Sequence, residues 1–88
     1  MVEIEKTVYF GNLLELYGNL LSPVQKRIMQ DYYENDLTLS EIAQNNKISR
    51  QAVYDAVVKA QAKLSQFEEK VGAYKEISRL KGIINGDI

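Results

Sequence analysis

The stretch TLSEIAQNNKISRQAVYDAVVKA at residues 38–60 contains two helix starts joined by a tight turn. At the first start, the Thr38 side chain can accept from the Glu41 amide while the Glu41 carboxylate reaches back to the Thr38 amide. This reciprocal box satisfies two otherwise orphaned donors. Leu37 precedes the cap and Ile42 lies on the first turn, the spacing of a hydrophobic staple. The second start repeats the device, with Ser49 as cap and Ile48 stapled to Val53. Asn46 and Lys47 make the turn between them. Leu39, Ile42 and Ala43 form the inward face of the first helix, small Ala43 allows the two helices to approach, and Val53 locks the second helix on the first. This is the pattern of a helix-turn-helix.

With those residues inside, helical spacing turns Ser49, Arg50, Gln51, Tyr54, Asp55, Val58 and Lys59 outward. Arg50 suits a bidentate contact to a guanine edge and Gln51 one to adenine, while Ser49 and the helix N-terminus suit a phosphate. Lys47 and Lys59 suit the backbone, and Tyr54 suits stacking, a phosphate contact through its hydroxyl, or packing. Asp55 fits less well, because it repels phosphate unless it meets a cytosine amino group, and Val58 offers only a methyl contact. The candidate nucleic-acid contacts are therefore Lys47, Ser49, Arg50, Gln51, Tyr54 and Lys59. The alternative for the same residues is an ordinary solvated helix face.

The rest of the chain is read as helical too. It has one Pro and five Gly, and no window alternates apolar and polar residues for long enough to make a strand. A first helix is predicted over about residues 3–17, with Phe10, Leu14, Tyr17 and Leu21 on one stripe. A second opens at LLSPVQ, with Ser22 as cap, Pro23 in the first turn and Gln25 closing the box, and ends near Asn35. The helix beginning at Arg50 has no obvious stop. Its three-four rhythm continues through Val57, Ala60, Leu64, Phe67, Val71 and Tyr74, crossing Gly72, where a break is expected before a short last helix. A break near Leu64 is the alternative, because Ser65 and Glu68 form another capping box. The adjacent Glu68 and Glu69 read as surface charge. The acidic run DYYEND reads as a solvated helix end rather than a metal site, with one of Tyr32 and Tyr33 in the core and the other outside.

Charge is distributed unevenly. The formal net charge is −1, but acids outnumber bases in residues 1–36, the reverse holds in residues 37–63, and residues 64–88 balance. The positive part coincides with the opening stretch, although the total argues against a protein built mainly to coat nucleic acid. There is no Cys and no His, which excludes the usual zinc sets, thiol nucleophiles, disulfides and imidazole acid–base pairs. The glycines form no phosphate loop and no nucleophile stands beside a base, so an enzyme is not expected, nor a cofactor, a metal or a small-molecule substrate. The N-terminus is charged and no apolar run approaches the ~20 residues a membrane span needs. A cytoplasmic protein is expected.

The run from LLSPVQ through LTLSEIA to ISRQAVYDAV resembles region 4 of bacterial sigma factors. More closely, EKT at the start, LLELYGNLLSPVQ, DYYENDLTLSEIA and SRQAVYDAV are similar to the YlxM family of small bacterial helix-turn-helix proteins, whose genes commonly neighbour that of the signal recognition particle GTPase. The resemblance implies a cytoplasmic, homodimeric, non-enzymatic protein that is assigned DNA binding by fold and is linked to the signal recognition particle pathway; as a partner, DNA is expected ahead of RNA. The family's reading residues carry over to Ser49, Arg50, Gln51 and Tyr54. Two positions depart from the usual pattern. Asn46 stands where an apolar residue is commonly buried, and Lys47 stands where glycine is typical, so a positive φ there would strain it. The alternative function is a module that docks on a protein or ribonucleoprotein, signal recognition particle components included.

The expected organisation is an all-α, three-helix helix-turn-helix core over residues 1–63 and a helical dimerisation extension over residues 64–88. A continuous helix from Arg50 to Val71 would extend about 33 Å, beyond what a three-helix unit covers. Its far end would present Leu64, Phe67, Val71, Tyr74, Ile77, Leu80, Ile83 and Ile84 to a second copy.

Overall fold

In a computed structural model, residues 2–81 are described, and all the regular structure among them is helical. Its elements are α1 (Val2–Tyr17), a 3-10 turn (Gly18–Leu20), α2 (Pro23–Tyr33), α3 (Leu39–Asn46), α4 (Arg50–Val71) and α5 (Ala73–Lys81). The N-terminal signals act as their residue types require. Ser22 and Gln25 exchange hydrogen bonds of 3.2 and 3.3 Å at the start of α2, and Thr38 and Glu41 exchange bonds of 3.1 and 2.9 Å at the start of α3. Ser49 accepts from the Ala52 amide at 3.0 Å at the start of α4. Each bond satisfies an amide that the helix start leaves without a backbone partner.

The core forms where these helices meet. Phe10, Leu13, Leu14 and Tyr17 of α1, Ile28 and Met29 of α2, Ile42 and Ala43 of α3, and Val53, Val57, Ala60 and Leu64 of α4 are buried together with Leu21. Leu39, expected on the inward face of α3, is only partly buried. Tyr33 packs on the core and its hydroxyl meets the Gln61 amide, while Tyr32 stays on the outside.

Leu64 corrects one expectation. It is 0% exposed and belongs to the chain's own core, so it is not available to a second copy. The reason is that α1 runs far enough along α4 to cover it: the rings of Tyr17 and Phe67 lie 6.1 Å apart, beyond Leu64 on α4. Phe67 and Tyr74 are likewise partly buried against the core. Val71, Ile77 and Leu80 remain exposed. Ile83 and Ile84 lie outside the described residues.

Helix α4 does not break near Leu64. It continues to Gly72, which ends it at φ 70° and ψ 20°, a left-handed conformation that glycine adopts without a Cβ penalty. Glu68 is a second correction, because it is not free surface charge. Its carboxylate accepts from the Tyr17 hydroxyl at 2.8 Å and from the amides of Tyr74 and Lys75, both at 3.0 Å. The Tyr17 hydroxyl in turn accepts from the Ala73 amide at 3.2 Å. One carboxylate and one phenol thus cap α5 and fasten it to α1, and Tyr9 meets Tyr74 edge-on alongside. Loss of water around Glu68 pushes its pKa up, but the hydrogen bonds from Tyr17, Tyr74 and Lys75 and the Lys75 charge outweigh this. The carboxyl is left below its ordinary value.

Candidate nucleic-acid interface

The turn between α3 and α4 is built around the two positions that depart from the usual pattern. Lys47 takes φ 55° and ψ 42° and ends α3, with its amide reaching the carbonyls of Ala43 and Gln44. The next amide, of Ile48, bonds back to the Ala43 carbonyl at 3.1 Å, which closes the helix end in the manner of a Schellman motif. A lysine there carries the cost of a left-handed backbone, about 1–2 kcal/mol. Asn46 is satisfied without an apolar pocket. Its Nδ2 donates to the Ile42 carbonyl at 2.8 Å, and its Oδ1 accepts from Arg27 Nε and Nη2 at 3.1 and 2.8 Å. Arg27 therefore ties α2 to the turn and is not a free cation.

From this turn α4 projects a continuous exposed arc. Ser49, Arg50, Gln51, Tyr54, Asp55, Val58 and Lys59 are all exposed, with Tyr54 at 52% and Val58 at 43%. Behind them Val53 is fully buried, so the arc stands on a rigid support. The residues are not clustered equally. Arg50, Gln51 and Tyr54 line one shallow open recess with Leu39 from the start of α3. Lys59 is nine positions beyond Arg50, which at 100° per residue sets it about half a turn away around the helix. Arg50 and Lys59 thus mark opposite edges of the arc. Lys47 lies in the turn beside the α4 N-terminus.

The hydrogen-bonding state of each side chain decides what it can offer. Lys47, Arg50 and Lys59 have no hydrogen bond or ion pair to the rest of the described chain, where the one ion pair joins Arg79 to Glu76. Ser49 spends an oxygen lone pair on its cap and keeps its hydroxyl proton. Gln51 donates through Nε2 to Asp55 Oδ1 at 3.0 Å, an i,i+4 pair. Leu39 was missed as a lining residue, because its spacing marks it as core and only the crossing of α3 over α4 shows its outer edge. The Gln51 and Asp55 pair was also missed, although a spacing of four on one helix announces it.

Comparison with known proteins agrees with this geometry. Residues 4–86 match the family model UPF0122, described as "Putative helix-turn-helix protein, YlxM / p13 like". The chain belongs to the UPF0122 family. A UPF0122 protein of Fusobacterium nucleatum is 47% identical over 72 residues, spanning 82% of this chain and 70% of the relative. A UPF0122 protein of Geobacillus kaustophilus is 42% identical over 81 residues, 92% of this chain and 74% of the relative. The UPF0122 protein YlxM of Bacillus subtilis is 39% identical over 84 residues, 96% and 76% respectively. The matched region takes in the helix-turn-helix and the helices that support it, and the family's description names the same motif. Among the described residues, no helix of this UPF0122 chain is long and apolar enough to cross a membrane.

Proposed function

We propose that this protein is a non-enzymatic, cytoplasmic DNA-binding regulator that reads duplex DNA with the exposed arc of α4. The observation that carries this reading is Arg50. It stands at the first position of α4, exposed and unpaired, beside Gln51 and Tyr54 and above the buried Val53. A guanidinium so placed suits the O6 and N7 acceptors of guanine in a major groove wide enough for a helix. Lys47, Ser49 with the first amides of α4, and Lys59 suit the phosphates on either side. Duplex DNA is favoured over duplex RNA because the A-form major groove is too narrow for side chains to read. The test is selection of bound sequences from fragmented genomic DNA, followed by titration of the selected duplex. Arg50→Ala is expected to weaken specific binding by about 1–3 kcal/mol with an unchanged melting temperature. Equal binding by the two proteins across a range of salt would remove Arg50 from the reading role.

A second reading, in which the same arc docks on a protein or ribonucleoprotein such as a signal recognition particle component, is favoured by one observation. Tyr54 and Val58 present apolar surface within the arc, and the whole chain has a net charge of −1. Capture of signal recognition particle components that duplex DNA does not displace would select it.

The proposal includes a homodimer joined through Phe67, Val71, Tyr74, Ile77 and Leu80. Its support is the apolar surface that Val71, Ile77 and Leu80 leave exposed, with Val71 at 63%. Two copies related by a twofold axis would offer two Arg50 helices, and a separation near one DNA turn, about 34 Å, would fit a palindromic site. Light scattering at micromolar concentration tests it, and a strictly monomeric wild-type protein contradicts it.

A further inference from the structure

We propose that Asp55 is a positioning residue that sets sequence specificity by fixing the strand on which, in the base pair next to the guanine met by Arg50, the amino-bearing base (adenine or cytosine) stands. This rests on the DNA-binding function proposed above.

Gln51 Nε2 donates to Asp55 Oδ1 across 3.0 Å. An ionised carboxylate only accepts, so Asp55 dictates which end of the Gln51 amide turns toward it. The NH2 end faces Asp55 and Oε1 is left on the other side. A lone glutamine amide flips by half a turn at little cost, and its two orientations present opposite donor and acceptor orders to a base edge. Asp55 removes that ambiguity.

Asp55 also carries an exposed charge that no ion pair neutralises, although Lys59 follows it by one helical turn. Lys47, Arg50 and Lys59 are all within the same region, yet none pairs with it. A free carboxylate on a phosphate-facing surface opposes binding to any duplex. It is compensated where an exocyclic amino group, adenine N6 or cytosine N4, donates to it. Thymine O4 and the guanine O6 and N7 atoms only accept, and they would face its lone pairs. Asp55 therefore weakens non-specific binding and rewards a matched base, which is discrimination by repulsion of wrong partners.

The isosteric variant Asp55→Asn separates this role from bulk charge. Asparagine both donates and accepts, so it tolerates either orientation of Gln51, and the position is exposed, so folding should be unaffected. The probes are a duplex selected by the wild-type protein and duplexes in which each amino-bearing base is exchanged in turn for thymine or guanine. Wild type is expected to lose about tenfold in affinity at one exchanged position next to the Arg50 guanine. Asp55→Asn is expected to bind every duplex more tightly while losing most of that tenfold preference. If Asp55→Asn tightens binding to all duplexes equally and keeps the preference, Asp55 is only a surface charge and the inference is overturned. If the wild-type protein binds no duplex even at low salt, the underlying DNA-binding function fails instead.

Discussion

Among the described residues, α3 and α4 end on a residue in the left-handed region, and the two residues differ; a third such residue, Asp36 at φ 56°, follows α2. At the α4–α5 junction the position is Gly72, at φ 70°, and the Glu68 and Tyr17 side chains close around the start of α5. At the α3–α4 turn the position is Lys47, at φ 55°, exposed and without a partner. The first junction is built for stability, since its backbone is unstrained and its polar groups are used internally. The second carries strain and keeps its cations free. Left-handed backbone alone assigns no role, since Asp36 also takes φ 56°; what sets Lys47 apart is its place beside the exposed start of α4, where the proposed DNA contact would use its charge.

The largest effect is expected where α1 covers α4 ahead of the Gly72 junction. Leu64→Ala removes a side chain that is fully buried beneath α1 and should cost about 2–5 kcal/mol. Chemical denaturation checks this. An unchanged midpoint would return Leu64 to the protein surface and reinstate it as a candidate for subunit contact.

Exchanging the two helix ends gives a smaller effect of opposite sign at each. Gly72→Ala is expected to destabilise by about 1 kcal/mol from backbone strain alone, because nothing lies within 4 Å of where its Cβ would stand. Lys47→Gly is expected to stabilise by about 1 kcal/mol as the left-handed strain is relieved. If the Lys47 ammonium meets a phosphate, the same variant should also weaken DNA binding across all sequences and reduce the salt slope by about 1. A Lys47→Gly protein that is more stable and binds DNA undiminished would leave the strained lysine without a function.

Much of this was legible in the sequence, for local reasons. The three N-terminal caps depend on residues three positions apart, and the outward arc of α4 depends on helical spacing alone. The positive φ at Lys47 could be anticipated because the turn demands it. What was not legible depends on neighbours distant in sequence. Asn46 is acceptable in its half-buried place because Arg27 of α2 reaches it, and Glu68 becomes a cap because Tyr17 of α1 stands beside it. Leu64 belongs to the same class, since its apolar spacing fits a core and a subunit contact equally well. Two capping signals competed for the end of α4. Gly72 prevailed because it ends a helix at no steric cost, whereas a stop near Leu64 would have drawn that residue out of the core.

The smallest effect expected is at Glu68. Its pKa is lowered on folding, so its contribution is complete above the unfolded value near 4.5 and is lost as pH falls through the lower folded value. Glu68→Gln should therefore melt below wild type at neutral pH, and the gap should close in acid. A gap that persists well below the folded pKa would assign the difference to something other than the carboxylate charge.

The free side of the molecule, at the start of α4, is thus the side proposed to meet nucleic acid. Its most direct test is a titration of isotope-labelled protein with an arbitrary DNA duplex at low salt, following every backbone amide by NMR. Shifts are expected to concentrate at residues 47–59, with the amides of Tyr74 and Lys75 unmoved. Shifts concentrated instead on α1 and α5, or no shifts at any salt concentration, would contradict it.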